Sequence, residues 1–392
     1  MKTFLDDNAC SVLELSLFFI SSIVLIAYIL FLIRINKIWK SSPKITSDKS
    51  NPSDITFSVI IAGRNEAGNL KNCIDSIFSN DYPKELYEII YVDDHSEDES
   101  VRMLSEIKSE NFRFFELSKN IKADKKNSYK KMAIDLGISN SRSEIILLTD
   151  ADTITGKDWI RSHAEQYNAD KNVKLCTGPV IYKYDASFIQ FFQYYDLIAT
   201  MGFTNAGIEH KKFYMANGAN MSFSKEIYNS DTFGINLASG DDMFFVQQTA
   251  QKYPGSIRFI KSLMAAVFTF PESSFAAFIN QRIRWGSKTK YYKDQNLKSI
   301  LGFLFFVNFF VISGFLYGIV TMNSLSAIVV SIIIFKIFTE VILIKSLADK
   351  LKQKIDYLNL IISLLAYPFY LVFTGIISLF TSKYSWKGRI VK

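Results

Sequence analysis

Cysteine and histidine are scarce in this 392-residue chain, three of each. Cys10, Cys73 and Cys176 lie too far apart for a zinc-ligand spacing or a disulfide framework. His95, His163 and His210 are as scattered, which leaves out a metal site built on imidazole. No internal repeat or low-complexity segment stands out. The mark of a cleaved secretory leader is missing as well: Arg34, Lys37 and Lys40 follow the first apolar run, where a leader carries its positive charge before it.

Apolar residues are abundant, 49% against 21% charged. They concentrate in runs. Residues 12–34 form one run long enough to cross a bilayer, and 300–322, 325–344 and 357–380 form three more. The first reads as an uncleaved anchor with its N-terminus outside and the following segment in the cytosol. The chain is basic overall, net +7. Much of that excess flanks the apolar runs, so a cytosolic-face bias explains it better than nucleic-acid binding, and no nucleic-acid partner is expected. Lys345, Lys350, Lys352 and Lys354 place the loop before the last run in the cytosol too. The basic tail (Lys383, Lys387, Arg389, Lys392) fits less well, because three closing spans would leave it outside. A break at Pro368, making a re-entrant pair, would return it. Lys336 and Glu340, inside an apolar run at i, i+4 spacing, share a helix face and can pair, either structurally or along an acceptor path.

Between the first run and the last three, after a polar linker at 41–54, residues 54–297 read as a water-facing domain. Strand-like segments at 57–61, 88–92, 112–117 and 144–148 alternate with helical segments at 69–80 and 130–138. That order predicts an α/β domain, Rossmann-like, with a mainly parallel sheet. Such sheets bind ligands beyond the carboxyl ends of their strands. Asp93 and Asp94 stand at one strand end, Asp150 and Asp152 at another. Neighbouring carboxylates repel unless a cation sits between them, and magnesium or manganese with phosphate oxygens suits that arrangement. Asp241 and Asp242 open a later helical segment, where a carboxylate could deprotonate a hydroxyl or merely cap the helix. Gln281, Arg284 and Trp285 occupy adjacent turns of one helix, a pattern that serves phosphate and sugar recognition or membrane-surface anchoring. Each cluster alone is equally a turn or a cap.

Taken in order, the four clusters resemble family 2 glycosyltransferases of the GT-A fold, in particular the membrane-integrated branch with cellulose, hyaluronan and chitin synthases. The resemblance covers about 57–285. It implies inverting transfer from a UDP- or GDP-sugar, with Mg2+ or Mn2+. Asp152 and Asp150 would hold the metal. Asn65, Glu66, Asp93 and Asp94 would meet the nucleoside, and Lys130 (with Lys131 as a competing assignment) the diphosphate. Asp242 would be the base, with Asp241 beside it, and Gln281, Arg284 and Trp285 would secure the diphosphate and acceptor side. Two departures from the family pattern stand out: Asp241 replaces its usual glutamate, and Asp135 its usual asparagine. Asn217 to Asn220 sits where the family has an acceptor loop.

Aromatic amphipathic stretches near 187–201 and 275–290 read as interfacial helices or as ordinary core. The expected location is the cell membrane, multi-pass, with the catalytic domain in the cytosol. Few spans leave little room for a polymer channel. A lipid, polyprenyl or carotenoid acceptor is therefore favoured over a processive synthase extending a growing glycan. A silent scaffold is disfavoured by the retained acidic set.

Overall fold

The structure is a computed structural model that describes residues 2–41, 54–120, 129–184, 187–229, 241–321, 324–381, 384–386 and 389–391. The chain opens with a 40-residue helix, α1 (Lys2–Ser41). The α/β domain follows. It runs β1 (Phe57–Gly63), α2 (Ala67–Phe78), β2 (Tyr87–Asp93), α3 (Ser100–Glu106), β3 (Phe112–Glu116), α4 (Leu117–Asn120), α5 (Tyr129–Ser139), β4 (Ile145–Asp150), β5 (Ile154–Thr155) and α6 (Trp159–Ala169). It continues with β6 (Leu175–Thr177), β7 (Val180–Tyr182), α7 (Phe188–Glu209), β8 (Met221–Ser224), α8 (Asp241–Lys252), β9 (Ile257–Phe259), β10 (Val267–Thr269) and α9 (Phe275–Gly286). Three long helices close the fold, α10 (Gln295–Thr321), α11 (Ser324–Lys350) and α12 (Tyr357–Phe380), before a two-stranded hairpin, β11 (Tyr384–Trp386) and β12 (Arg389–Val391).

The main sheet has strand order β3-β2-β1-β4-β8-β6-β9. Its first four strands are parallel, as the strand–helix alternation implies, whereas β8 runs antiparallel to both β4 and β6. A smaller sheet, β5-β10-β7, sits apart. The sheet is thus mixed but mostly parallel, as expected. Phe57, Val59, Ile60 and Ile61 of β1 are buried, as expected for a central strand covered on both faces. Each large side chain buried this way contributes about 1.5–3 kcal/mol. The helix α2 supplies one covering face through Leu70, Cys73, Ile74 and Ile77, which recur at helical spacing.

Three helices among the described residues are long and apolar enough to cross a membrane: 19–41, 295–320 and 357–380. The helix that holds the first carries on through Arg34, Lys37 and Lys40, whose long stems let their charges reach the polar boundary. The expected run at 325–344 belongs to α11, which is not one of the three. Lys336, Glu340 and Lys345 fall within its described part. It still packs against α1 and α10. Lys336 and Glu340 do pair, Nζ to Oε1 at 2.6 Å and nearly fully buried, and Tyr28 of α1 donates to the same Glu340 oxygen at 2.6 Å. The break expected at Pro368 does not occur: α12 is one continuous helix with Pro368 inside it. The missing N–H of a proline is tolerated in an apolar helix bundle where neighbours support the freed carbonyl. Of the basic tail, Lys383, Lys387 and Lys392 lie outside the described residues, as do nearly all of the 41–54 linker and Ser239 and Gly240 before α8.

The two halves are joined by α7. Buried along most of its length, it is packed between the sheet domain and helices α1, α11 and α12. Tyr194 and Tyr195 donate hydrogen bonds to the carbonyls of Lys354 and Asp356, in the turn between α11 and α12, at 3.1 and 2.9 Å. Of the two readings of the 187–201 stretch, core packing therefore describes α7.

Candidate active site

The register of the parallel strands decides which acidic residues meet. Gly63 is opposite Asp93 and Ala62 is opposite Asp150, so β2 and β4 deliver their terminal carboxylates to one sheet edge on either side of β1. The interstrand spacing separates the two backbones by about 10 Å.

The loops after β1 and β2 are clasped together. Asn65 and His95 both adopt positive φ, +54° and +56°, a conformation uncommon outside glycine and concentrated at functional sites. Asn65 accepts the Glu97 N–H through Oδ1 and donates its own N–H to Ser96 Oγ. Arg64 bridges to Glu97 at 2.8 Å. Glu66 is buried and accepts from Asn69 Nδ2 at 2.9 Å. Asp94, also buried, is bonded by His95 Nδ1 at 2.9 Å; burial raises its carboxyl above the ordinary value and His95 pulls against that. Thus Asn65, Glu66 and Asp94 build the loop. Asp93 differs. One of its oxygens accepts the Ser96 N–H at 3.0 Å, and the other is buried with no hydrogen-bond donor among the described residues.

At the end of β4, Lys130 of α5 reaches Asp150, Nζ to Oδ1 at 2.6 Å. Burial works against the lysine charge, but Asp150 outweighs it and the pKa is raised. Of the two competing lysines, it is Lys130 that meets Asp150, while Lys131 lies on the Asp241 side. Asp152 follows one residue beyond Ala151, partly exposed. Among the described residues no group of three or more His, Cys, Asp and Glu side chains could enclose a metal ion. Asp150 and Asp152 therefore offer an oxygen-only pair. That donor set fits a hard divalent cation that draws its remaining ligands from a diphosphate and water. Histidine plays no part here. His163 is buried between Asn220 and Ser222, and burial pushes its pKa down to about 4, which keeps it neutral.

The loop 217–220 faces the same edge. The Asp242 carboxylate accepts the Gly218 N–H through Oδ2 and the Met243 N–H through Oδ1, both at 2.8 Å. Thr149 of β4 donates to the Ala219 carbonyl at 2.9 Å, tying the loop to the sheet. Burial raises the Asp242 pKa; the two N–H bonds and nearby Lys130 oppose it, and Asp150 adds to it. Asp242, Lys130 and Asp150 thus form one electrostatic group. Asp241 is more buried, and its carboxyl rises to about 7, first from burial and then from Asp242. Asp135 has a partner of its own, the Tyr228 hydroxyl.

The fourth cluster sits on α9, which packs against α12. Gln281 donates to Glu272 at 3.1 Å, and Glu272 is itself held by Gln193 of α7 through its N–H and its carbonyl. Arg284 is partly buried and close enough to Lys130 and Lys288 for its charge to depress both. Trp285 is 38% exposed. The sequence reasoning passed over Arg282, inside the same motif, whose guanidinium lies 4.3 Å from the Trp285 ring centre and pairs with buried Asp196 of α7 at 3.0 Å. A single acid within the aromatic run 188–198 was the available signal.

Residues 58–232 match the family model of glycosyl transferase family 2. A dolichyl N-acetyl-alpha-D-glucosaminyl phosphate 3-beta-D-2,3-diacetamido-2,3-dideoxy-beta-D-glucuronosyltransferase of Methanococcus voltae is 25% identical over 294 residues, covering 69% of this chain and 85% of that protein. Glycosyltransferase AglE of Haloferax volcanii is 28% identical over 127 residues, 32% of this chain and 40% of that one. Among solved structures, the mannosyltransferase PcManGT from Pyrobaculum calidifontis, in complex with GDP-Man and Mn2+, matches with a TM-score of 0.51 at 15% sequence identity, over 93% of this chain and 97% of that chain. The last likeness is one of fold.

Proposed function

We propose, from the premise that this chain is a glycosyltransferase carrying a family 2 domain, that it transfers one sugar from a UDP- or GDP-sugar to a lipid-linked acceptor at the membrane, with inversion. The observation that carries this reading is the convergence of Asp93, Lys130, Asp150 and Asp242 on one sheet edge, in a domain bound through α7 and α9 to apolar helices.

In this reading the open oxygen of Asp93 takes a donor from the nucleoside, while Asn65, Glu66 and Asp94 fix the loops around it. Lys130 binds a diphosphate oxygen, exchanging its contact with Asp150 for one with the donor. Asp150 and Asp152 would hold Mg2+ or Mn2+, which would neutralise charge on the departing diphosphate. The acceptor hydroxyl oxygen bonds to the anomeric carbon as the bond to the diphosphate breaks. Asp242 takes the hydroxyl proton, its two N–H bonds aiming it, with Asp241 behind it. Arg284 and Trp285, braced through Gln281, serve the diphosphate and the acceptor. Arg34, Lys37 and Lys40 support a catalytic domain on the cytosolic side, and α11 would be a fourth membrane helix. The Methanococcus relative, named for a dolichyl phosphate-linked sugar acceptor, supports a lipid acceptor, and the fold neighbour's GDP-Man and Mn2+ support the donor and metal classes.

The test uses the full chain in detergent or nanodiscs with UDP- and GDP-sugars and polyprenyl-phosphate-linked saccharides. Nucleotide release that needs Mn2+ or Mg2+, stops with chelator and yields one-sugar lipid adducts is expected. Long polymer product would replace the lipid reading with a processive synthase. No turnover with any donor would overturn the whole reading.

A further inference from the structure

Arg282 lies outside the groups given a role above, yet it is a buried charge beside them. Its side chain is 5% exposed and that of Asp196, 3.0 Å away, is 9% exposed. Around it stands an aromatic box. The ring centres of Trp285 and Phe278 are 4.3 and 5.0 Å from the guanidinium carbon. Phe278 stacks on Tyr370 of α12 at 5.3 Å, and Phe192 of α7 closes the box at 5.7 Å from Phe278 and 5.0 Å from Tyr370. Tyr367, also of α12, lies 6.2 Å from Phe192 and 5.6 Å from Tyr370 between ring centres, within electrostatic reach of Asp196. Three helices thus meet on one guanidinium. Tyr182, at the end of β7, is within electrostatic reach of both Arg282 and Asp152.

The chemistry of this contact is particular to arginine. A flat guanidinium can lie against one ring while its edge meets a carboxylate; an ammonium cannot do both. Neither its Nε nor the terminal nitrogen 3.0 Å from Asp196 has a hydrogen-bond partner among the described residues, so the group is oriented by the rings and by the charge of Asp196 rather than by hydrogen bonds. Behind Trp285, the next residue is Gly286, where an added Cβ would come within 2.9 Å of Ser378 Cβ on α12. The tip of α9 therefore has contact with the bundle on one side and Arg282 on the other.

We propose that Arg282 is a positioning residue: paired with Asp196 inside the aromatic box, it fixes the Trp285 ring, so that membrane helix α12 sets the orientation in which α9 meets the acceptor. The acceptor part rests on the reading given under Proposed function; the clamp on Trp285 does not. Variants Arg282→Lys and Tyr367→Phe separate the two. Trp285 is followed by acrylamide quenching, as the difference between each protein and its Trp285→Phe counterpart, which subtracts Trp39, Trp159 and Trp386. Arg282→Lys is expected to raise the Trp285 quenching constant at least twofold. Tyr367→Phe removes only a hydroxyl that acts on Trp285 through Asp196 and Arg282, and is expected to raise it measurably as well. With acceptor present, the KM for acceptor is expected to rise about tenfold in Arg282→Lys and about threefold in Tyr367→Phe. Donor KM and acceptor-independent nucleotide release should stay within twofold. Unchanged Trp285 quenching in both variants overturns the clamp, whether or not any donor is turned over. Altered quenching with unchanged acceptor KM, or a parallel loss of donor hydrolysis, overturns the link to the acceptor.

Discussion

Replacing Asp242 with asparagine isolates proton transfer from folding. The carboxylate accepts two N–H bonds at 2.8 Å, from Gly218 and Met243. An amide of the same shape keeps one of these and sets an NH2 group against the other N–H. Losing one hydrogen bond to a charged group costs about 1.5–3 kcal/mol. Removing a carboxylate whose pKa is raised by burial returns part of that, so the net loss of stability should be about 1–2 kcal/mol. The loss of a positioned base is larger. General base catalysis contributes about 10²- to 10⁴-fold, which at 1.36 kcal/mol per decade is about 3–5 kcal/mol of barrier. The assay is the initial rate of nucleotide release at saturating donor and acceptor, beside a thermal unfolding curve in the same detergent. Asp242→Asn should lose kcat by at least about 100-fold while keeping a cooperative transition and a donor KM within a few-fold, since Lys130 and Asp150 are untouched. A kcat within threefold of the parent, with the fold intact, would refute the assignment of the proton to Asp242.

Other expectations follow from the same geometry. Asp241 titrates near 4 in an unfolded chain but at about 7 here, so the folded chain binds that proton more tightly. Its contribution to stability is then greatest below pH 4 and falls as pH rises to about 7. Asp241→Asn should therefore raise the unfolding free energy at pH 8 by an amount on the order of a few kcal/mol, read as a higher thermal midpoint, with the advantage shrinking toward pH 5; equal midpoints at pH 8 would count against the buried charge. Lys130→Met removes the cation facing Asp150 and should raise donor KM by about 10- to 100-fold, on the scale of a lost charged hydrogen bond, with acceptor KM little changed. In the bundle, Lys336→Met alone strands a buried Glu340 and should cost about 3–5 kcal/mol, whereas Lys336→Met with Glu340→Leu should recover most of it. Equal loss in the single and double variants would show that the pair matters for more than mutual neutralisation.

Much of the site could be read without coordinates because strand ends announce themselves. Runs such as Phe57–Ile61 and Glu144–Leu148 are apolar until the chain turns polar, and the turn is where ligands bind in a parallel sheet. The observed strands run on to include Asp93 and Asp150 themselves. Which residues of a cluster face the ligand was not legible. Asn65, Glu66, Asp93 and Asp94 match a nucleoside-contact pattern; Asn65 bonds the loop after β2, Glu66 bonds Asn69 of α2 and Asp94 bonds His95, while one Asp93 oxygen is buried with no donor among the described residues. The antiparallel strand β8 also escaped notice, since Met221–Ser224 is too short to show a period.

By itself the sequence determined the partition of this protein into apolar helices and a mostly parallel α/β domain, and the placement of its acidic residues at strand ends. Both depend on local pattern: hydrophobic run length and the alternation of strand and helix periods. Tertiary structure alone decided the pairings across large sequence separations: Lys130 with Asp150, Asp242 with the Gly218 amide, Arg282 with Asp196, and Tyr28 with Lys336 and Glu340. Side chains on different elements meet only once register and helix packing are fixed, and no local periodicity encodes that.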